Sequence, residues 1–268
     1  MSTLRIVDDR TRQVVVTLSM GVALLGSLLG VGALGEPRVQ EAAGGRLAAD
    51  ATLIAPAVPA FSIWPVIYLG LAAYTVWQWL PEQTTDERHR RIGGLAAGSM
   101  VLNALWLVVT GQGWLRASLV VMAGLLWILG SLVVQLEERP SFGGAETIIT
   151  DGTFGLYLGW VCVAACANAT ATLVDLGLNP GGWAAEGLAA GLLAGAAWIG
   201  VYLARRLGGR WAVSLAFAWG LVWIAVGRLG GEPSSLLVGI TAIAGAIAIL
   251  IATMKYRLTL GGEDQFDT

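Results

Sequence analysis

Charged side chains are scarce in this chain of 268 residues. Only 13% of its residues are Asp, Glu, Lys or Arg, whereas 56% are hydrophobic, and the mean hydropathy is +0.71. Soluble domains carry about 25% charged residues. The composition therefore excludes an ordinary soluble domain and indicates an integral membrane protein.

Residues that carry catalysis and metal binding are also few. Histidine occurs once, as His89 in an arginine-rich segment, which is typical of a solvated charged turn rather than of an axial haem ligand. The two cysteines, Cys162 and Cys166, have no second pair or histidine at metal-ligand spacing. The sequence also contains no Ser-His-Asp set, glycine-rich phosphate loop or HExxH motif. A metal site, a hydrolase and a nucleotide enzyme are therefore not expected.

Acidic residues are missing from the centres of the apolar runs. Those that come nearest, such as Asp151, Asp175 and Glu186, fall at predicted helix ends or in loops. Because proton relays and cation pathways use carboxylates inside the membrane, we expect no ion-coupled pump. The net charge of -2 and the pI of about 5.4 show no global basic patch, so nucleic-acid binding is not expected either.

Uncharged runs of about 20 residues, the length that an α-helix needs to cross the hydrocarbon core, recur along the chain. The sequence predicts an all-α, polytopic transmembrane helix bundle with eight spans, at 13–34, 61–80, 92–111, 115–136, 153–174, 185–204, 211–229 and 234–254.

The distribution of basic residues supports this topology. Eight spans place both termini on the same side of the membrane. That side holds 12 of the 16 Lys and Arg residues, and the other side holds Arg38, Arg46, Arg116 and Arg228. Short cytoplasmic loops collect Lys and Arg, so both termini are predicted to be cytoplasmic. The first run could instead be a cleaved signal peptide, since small residues follow at 31–33, but its length favours a retained helix. Arg outnumbers Lys by 15 to 1, which fits a GC-rich bacterial genome, and we expect the cytoplasmic membrane of a bacterium.

The fifth span carries a distinctive helical face. In LYLGWVCVAACANATATL, Tyr157, Trp160, Ala164 and Asn168 follow one another at intervals of three, four and four, which places them on one side of a helix. An amide in a lipid-embedded helix is costly unless it meets a partner helix, a water or a ligand. This face therefore predicts a pocket wall.

Two other spans offer similar groups. Trp64 and Tyr68 lie one turn apart in the second span, and Ser99, Asn103 and Trp106 share a face of the third. Aromatic rings stack or make edge contacts with a ligand, while amides and hydroxyls fix its orientation. The three helices together predict a site for a flat, largely apolar ligand with a few polar substituents.

The same segments resemble the TspO family, the tryptophan-rich sensory proteins related to the mitochondrial translocator protein. The resemblance lies in FSIWPVIY around Trp64 and Tyr68, in LNALW ending at Trp106, and in YLGWV followed by Ala164 and Asn168. These segments are similar, in order, to the family's second, third and fifth helices.

The resemblance implies a five-helix core that binds porphyrins, and in some members sterols, in a pocket open towards the first loop. It divides the chain into a cytoplasmic N-terminus (1–12), a TspO-like core (13–174), a three-helix C-terminal transmembrane extension (175–254) and a cytoplasmic tail (255–268). The ligand-binding candidates are Trp64, Tyr68, Asn103, Trp106, Tyr157, Trp160, Ala164 and Asn168.

The implied ligand is a tetrapyrrole, protoporphyrin IX or haem, and no cofactor is required. The family often dimerises, so a homodimer is expected. The chain departs from the family pattern in its three additional helices, in a Phe61 that stands one residue closer to Trp64, and in Leu156 where a proline is common. The cholesterol-recognition pattern is missing after Asn168, so sterol binding is not expected.

Three functions remain open. The first is a sensor, regulator or carrier for a tetrapyrrole. The second is a transporter of a small apolar or amphipathic metabolite through the eight-helix body. The similar segments RRIGG at 90–94 and RRLGG at 205–209 hint at two four-helix halves, an arrangement that is common in transporters. The third is an enzyme acting on a lipid or pigment, or a structural partner of another protein. Some TspO-like proteins are reported to promote light-dependent porphyrin breakdown, but this sequence offers no general acid or base for it.

Overall fold

The structure is a computed structural model that describes residues 8–30, 41–141 and 143–263. Within these ranges the regular secondary structure is entirely helical, and eight helices are long and apolar enough to cross a membrane. The predicted all-α bundle with eight spans is confirmed. We number the long helices α1 (Asp9–Gly30), α2 (Ile63–Trp77), α3 (Glu87–Gly111), α4 (Leu115–Glu138), α5 (Thr153–Asp175), α6 (Gly182–Arg206), α7 (Trp211–Gly230) and α8 (Leu236–Glu263).

Several helices extend further than the uncharged runs from which they were predicted. Helix α1 begins at Asp9 and α3 at Glu87, because charged residues at their starts find partners. Asp9 accepts a bond of 2.6 Å from the Arg90 guanidinium, for example. The predicted end of the first span, at 31–34, and the small residues of the signal-peptide alternative lie outside the described residues.

Five of the helices form a closed ring. Helix α1 packs on α3, α3 on α4 and α4 on α5, and α2 closes the ring by lying against both α5 and α1. The other three helices lie outside the ring: α7 packs on the outer face of α5, α8 packs on α7, and α6 pairs with α8. One hydrophobic cluster fills the ring and extends to the start of α7, and a second joins α6, α7 and α8 to α5. Helix α5 is therefore shared by the ring and the outer helices, and the boundary at residue 174 stays a prediction.

Glycines set the close contact between α5 and α7. A Cβ atom on Gly155 would lie 2.8 Å from the Cβ of Ala212, and one on Gly159 would collide with the carbonyl oxygen of Val213. In lipid, where apolar burial gives little driving force between helices, small residues allow the backbone contact that stabilises a pair. The glycines of α5 thus fix the outer helices on the ring.

His89 does not occupy the solvated turn that the sequence predicts. It is completely buried near the start of α3, where its ring packs against Tyr74 and its Nε2 atom lies 2.9 Å from Oε1 of Gln83. The prediction is wrong because the helix begins before the histidine and its first turns pack inside the ring.

Asp151 also departs from expectation, since the sequence predicts no carboxylate in a buried position. It is only 7% exposed and belongs to the π-helical turn Thr147–Gly152 that leads into α5. Arg88 of α3 donates bonds of 2.6 and 2.8 Å to its two oxygens, and Arg210, just before α7, donates another. The carboxylate is tolerated there because two guanidinium groups from distant parts of the chain neutralise it.

Candidate functional site

Aromatic side chains from α2 and α5 meet inside the ring. The Trp160 ring makes edge contacts with Phe61 and Trp64, at centroid distances of 5.6 and 6.3 Å. Trp64 also contacts Tyr68 at 5.7 Å and the edge of Tyr157 at 5.9 Å. The structure thus brings together the aromatic candidates of the second and fifth predicted spans.

Two small cavities adjoin this cluster and are treated together as the Trp160 cavity, since Phe61, Trp106, Trp160 and Ala164 line both. Their volumes are about 40 and 20 Å³. At roughly 10–15 Å³ for each water molecule, the space holds only a few waters. The larger cavity extends to Asn168, and the smaller one is also lined by Trp64 and Asn103.

Polar atoms beside the Trp160 cavity lack partners among the described residues. The Nε1 atoms of Trp106 and Trp160 and the Oδ1 atom of Asn103 are buried and make no hydrogen bond there. The other amide atom of Asn103 is engaged, since its Nδ2 donates to the Tyr68 hydroxyl over 2.8 Å. A buried polar group without a partner costs about 1–3 kcal/mol. Two N–H donors and one carbonyl acceptor are therefore available to a ligand or to water, as is the Thr52 hydroxyl, which is also without a partner among the described residues.

Asn168 lines the cavity but its amide is already paired. Its Nδ2 donates to the Ser118 hydroxyl over 2.9 Å, and that hydroxyl lies 3.1 Å from the Asn168 Oδ1 atom. The pair joins α5 to α4, and Thr172 one turn later also contacts α4 through the carbonyl of Leu115. An amide inside the membrane can pair with a neighbouring helix, a water or a ligand, and Asn168 pairs with helix α4.

Tyr157 supports the cavity from behind. It is completely buried, and its hydroxyl donates to the backbone carbonyl of Ser99 over 3.2 Å. It does not line either cavity, but its edge contact with Trp64 positions that ring. Ala164 does line both cavities, and its small side chain leaves the space that a larger residue would fill.

The first loop forms one wall of the larger cavity, and the sequence motifs do not predict its residues. Five side chains of the segment 46–56 line the larger cavity: Arg46, Leu47, Thr52, Ala55 and Pro56. Pro56 and Pro59 precede Phe61 in the sequence, but their spacing does not specify which loop residues contact the cavity.

Neither metal binding nor a disulfide marks the site. Across the described ranges, no group of three or more His, Cys, Asp or Glu side chains is arranged to hold a metal ion. Cys162 and Cys166 are both free thiols, partly buried on α5.

The fold and the cavity together define a multi-pass membrane protein with an aromatic-walled cavity inside a ring of helices. A comparison with protein families matches residues 14–255 to the family described as TSPO-like protein. The chain belongs to this family, as its motifs predict, and the match covers α6, α7 and most of α8 as well as the ring. No curated protein and no solved structure matches the chain.

Proposed function

We propose that the protein binds a tetrapyrrole, such as protoporphyrin IX or haem, in the Trp160 cavity and serves as a membrane sensor, regulator or carrier for it. The observation that carries the proposal is the set of unpaired polar atoms on Asn103, Trp106 and Trp160, in a cavity lined by four aromatic rings. Rings that stack on a flat apolar body, together with a few convergent polar groups, are typical of small-molecule sites.

Binding of so large a ligand requires the cavity to open. Small-molecule sites have volumes of roughly 300 Å³ or more, far above the space now beside Trp160. The ring helices pack closely, whereas the segment 46–56 forms one wall without being part of a long helix. We therefore assign the opening to a movement of this loop.

The same proposal places the protein in its surroundings. It resides in the cytoplasmic membrane of a bacterium, with both termini in the cytoplasm, and forms a homodimer. The excess of Arg over Lys and the concentration of basic residues on one side of the bundle support the first two assignments.

The second candidate is a transporter of a small apolar or amphipathic metabolite, and the helix arrangement favours it. In the first four helices, α1 packs on α3 and α3 on α4; in the last four, α5 packs on α7 and α7 on α8. The second helix of each half differs, since α2 lies against α1 and α5 whereas α6 pairs with α8. Repeated halves of this kind are common in transporters. Uptake of the ligand into proteoliposomes separates this candidate from a sensor, which binds without moving its ligand across the bilayer.

The test is a titration of the purified protein in lipid nanodiscs with protoporphyrin IX, followed through the absorbance of the porphyrin. We expect saturation in the micromolar range or tighter. Trp160→Phe retains a ring but removes the unpaired N–H, and we expect it to weaken binding about tenfold, or roughly 1.4 kcal/mol.

The matched control is Trp127→Phe, because Trp127 lies on α4 with 70% of its surface exposed. It should leave the affinity unchanged. Absorbance changes that do not saturate, or that respond equally to both substitutions, would reject the tetrapyrrole as the ligand.

A further inference from the structure

A second, larger space lies next to the Trp160 cavity. It is a groove of about 480 Å³ between the end of α5 and the start of α6. Leu173, Leu188 and Leu192 line it and expose much of their surface on the outside of the bundle, on two helices that are long and apolar enough to span a membrane. Residues 178–182, at the connection between these helices, line the groove as well. A volume of this size is within the range of small-molecule sites.

Only a thin wall separates the groove from the cavity. Thr52 of the first loop lines both spaces, and on α5 the adjacent residues Thr170 and Ala171 face the groove and the cavity respectively. The Thr52 hydroxyl is buried and has no hydrogen-bond partner among the described residues. The wall is therefore one residue thick and carries a polar group that a passing ligand could engage.

A residue of the outer helices holds this wall in place. Arg228 of α7 is 1% exposed; its Nη1 donates to the carbonyl of Thr52 over 2.9 Å, and its Nη2 donates to that of Ala49 over 2.7 Å. At the end of the loop, the backbone N–H of Ala57 donates to the Trp223 carbonyl over 3.1 Å. Helix α7 thus fixes the loop through side-chain and backbone bonds.

The lining of the groove specifies the kind of occupant. Among its described residues only Glu186 is charged, and that carboxylate already accepts a bond of 2.5 Å from the Ser235 hydroxyl. Most of the remaining surface is Leu, Val and Ala. The groove therefore suits the apolar body of a small amphipathic molecule that is dissolved in the bilayer.

We infer that the groove is a lateral vestibule of the Trp160 cavity. An apolar molecule binds there from the membrane and passes into the cavity when the Thr52 segment moves away from Arg228. Arg228 is then a positioning residue that sets the rate of exchange. This inference rests on the proposed function, since it supplies the route by which the ligand reaches the site.

The experiment measures access to the cavity without any tetrapyrrole. In a background with Cys162→Ala and Cys166→Ala, Ala164→Cys places a single thiol at the cavity. Its labelling rate in nanodiscs is measured with N-phenylmaleimide, which partitions into lipid, and with a sulfonate-bearing thiol reagent, which stays in water.

Filling the groove should slow the apolar reagent. We expect Ala185→Trp, and the more exposed Leu188→Trp as a second variant that leaves the packing intact, to lower its labelling rate about tenfold, a barrier change of about 1.4 kcal/mol. The matched control is Val134→Trp on the lipid-exposed side of α4, which should have no effect. Arg228→Gln should raise the rate by a similar factor, and Arg228→Lys by less, because the ammonium retains one donor to the loop carbonyls.

The inference is overturned if both groove variants label as fast as the Val134→Trp control, or if the charged reagent reaches the thiol as quickly as the apolar one. The porphyrin titration tests the proposed ligand separately from the vestibule. Blocked labelling without porphyrin binding would reject the tetrapyrrole and keep the vestibule, whereas porphyrin binding with unblocked labelling would reject the vestibule alone.

Discussion

Helix α5 connects two polar regions, one with paired charges and the other with unpaired polar groups. At its start, Asp151 is held between Arg88 and Arg210. Further along, Trp160 faces a small cavity where buried N–H and carbonyl groups have no partner among the described residues. Paired charges fix how helices sit together, whereas unpaired polar groups leave an energy that a ligand can recover. The difference separates a structural region from a candidate binding region on one helix.

The Asp151 region joins the ring to the outer helices. Arg88 also donates to Glu146 over 2.6 Å, and Arg210 donates to Glu137 of α4 over 2.8 Å. One network therefore connects α3, α4, the turn before α5 and the start of α7. Arg88, Asp151 and Arg210 are costly to remove because each makes charge-assisted hydrogen bonds to two partners in the network.

The largest expected effect comes from breaking this network. Asp151→Asn keeps the shape of the side chain and leaves Arg88 with Glu146 and Arg210 with Glu137. It weakens the three charge-assisted hydrogen bonds that the carboxylate accepts, and we expect a loss of about 3 kcal/mol in unfolding free energy. The measurement is unfolding of the purified protein in mixed micelles, followed by loss of helical circular dichroism.

The control for Asp151→Asn is Glu87→Gln. Glu87 pairs with Arg91 and Arg139, but its side chain is 59% exposed, so the pair is screened by solvent and the loss should stay below about 1 kcal/mol. Equal losses for the two variants would show that the buried network is no more than a surface ion pair, and the contrast between the two regions of α5 would fail.

The sequence predicts the Trp160 region of α5 better than the Asp151 region. Spacing alone places Trp160, Ala164 and Asn168 on one helical face, because helical periodicity is a local property. It cannot show that Asn168 meets Ser118, which lies 50 residues earlier, or that Asp151 meets arginines 63 and 59 residues away.

Burial is harder to predict for a related reason. A charged or polar residue near the end of an apolar run is expected to lie in water, and for His89 and Asp151 that expectation is wrong. Their burial depends on partners from other helices, and pairing of that kind is decided by tertiary packing. The loop wall at Thr52 and its bond to Arg228, 176 residues away, are hidden from the sequence in the same way.

A smaller effect should follow from loosening the contact between α5 and α7. Gly159→Ala adds a methyl group that meets the Val213 backbone, and forcing the helices apart should cost about 1–3 kcal/mol. The same unfolding assay measures it. Gly130→Ala on α4 is the control, because a Cβ there meets nothing within 4 Å and the better helix propensity of Ala should leave stability unchanged or slightly raised. A tolerated Gly159→Ala would mean that the outer helices are not held on the ring by this contact.

The smallest expected effect tests whether the Asn168 amide supports the Trp160 cavity or binds the ligand. Because the Asn168 amide is engaged with Ser118, Asn168→Ala should lower stability by roughly 0.5–1.5 kcal/mol, the range of interhelical hydrogen bonds in membranes, and Ser118→Ala should do the same. The double variant should lose less than the sum of the two, since both remove one interaction. Porphyrin affinity should change far less than in Trp160→Phe. If Asn168→Ala instead weakens binding tenfold while leaving unfolding unchanged, the amide turns to the ligand when it binds, and the pairing with Ser118 belongs only to the closed cavity.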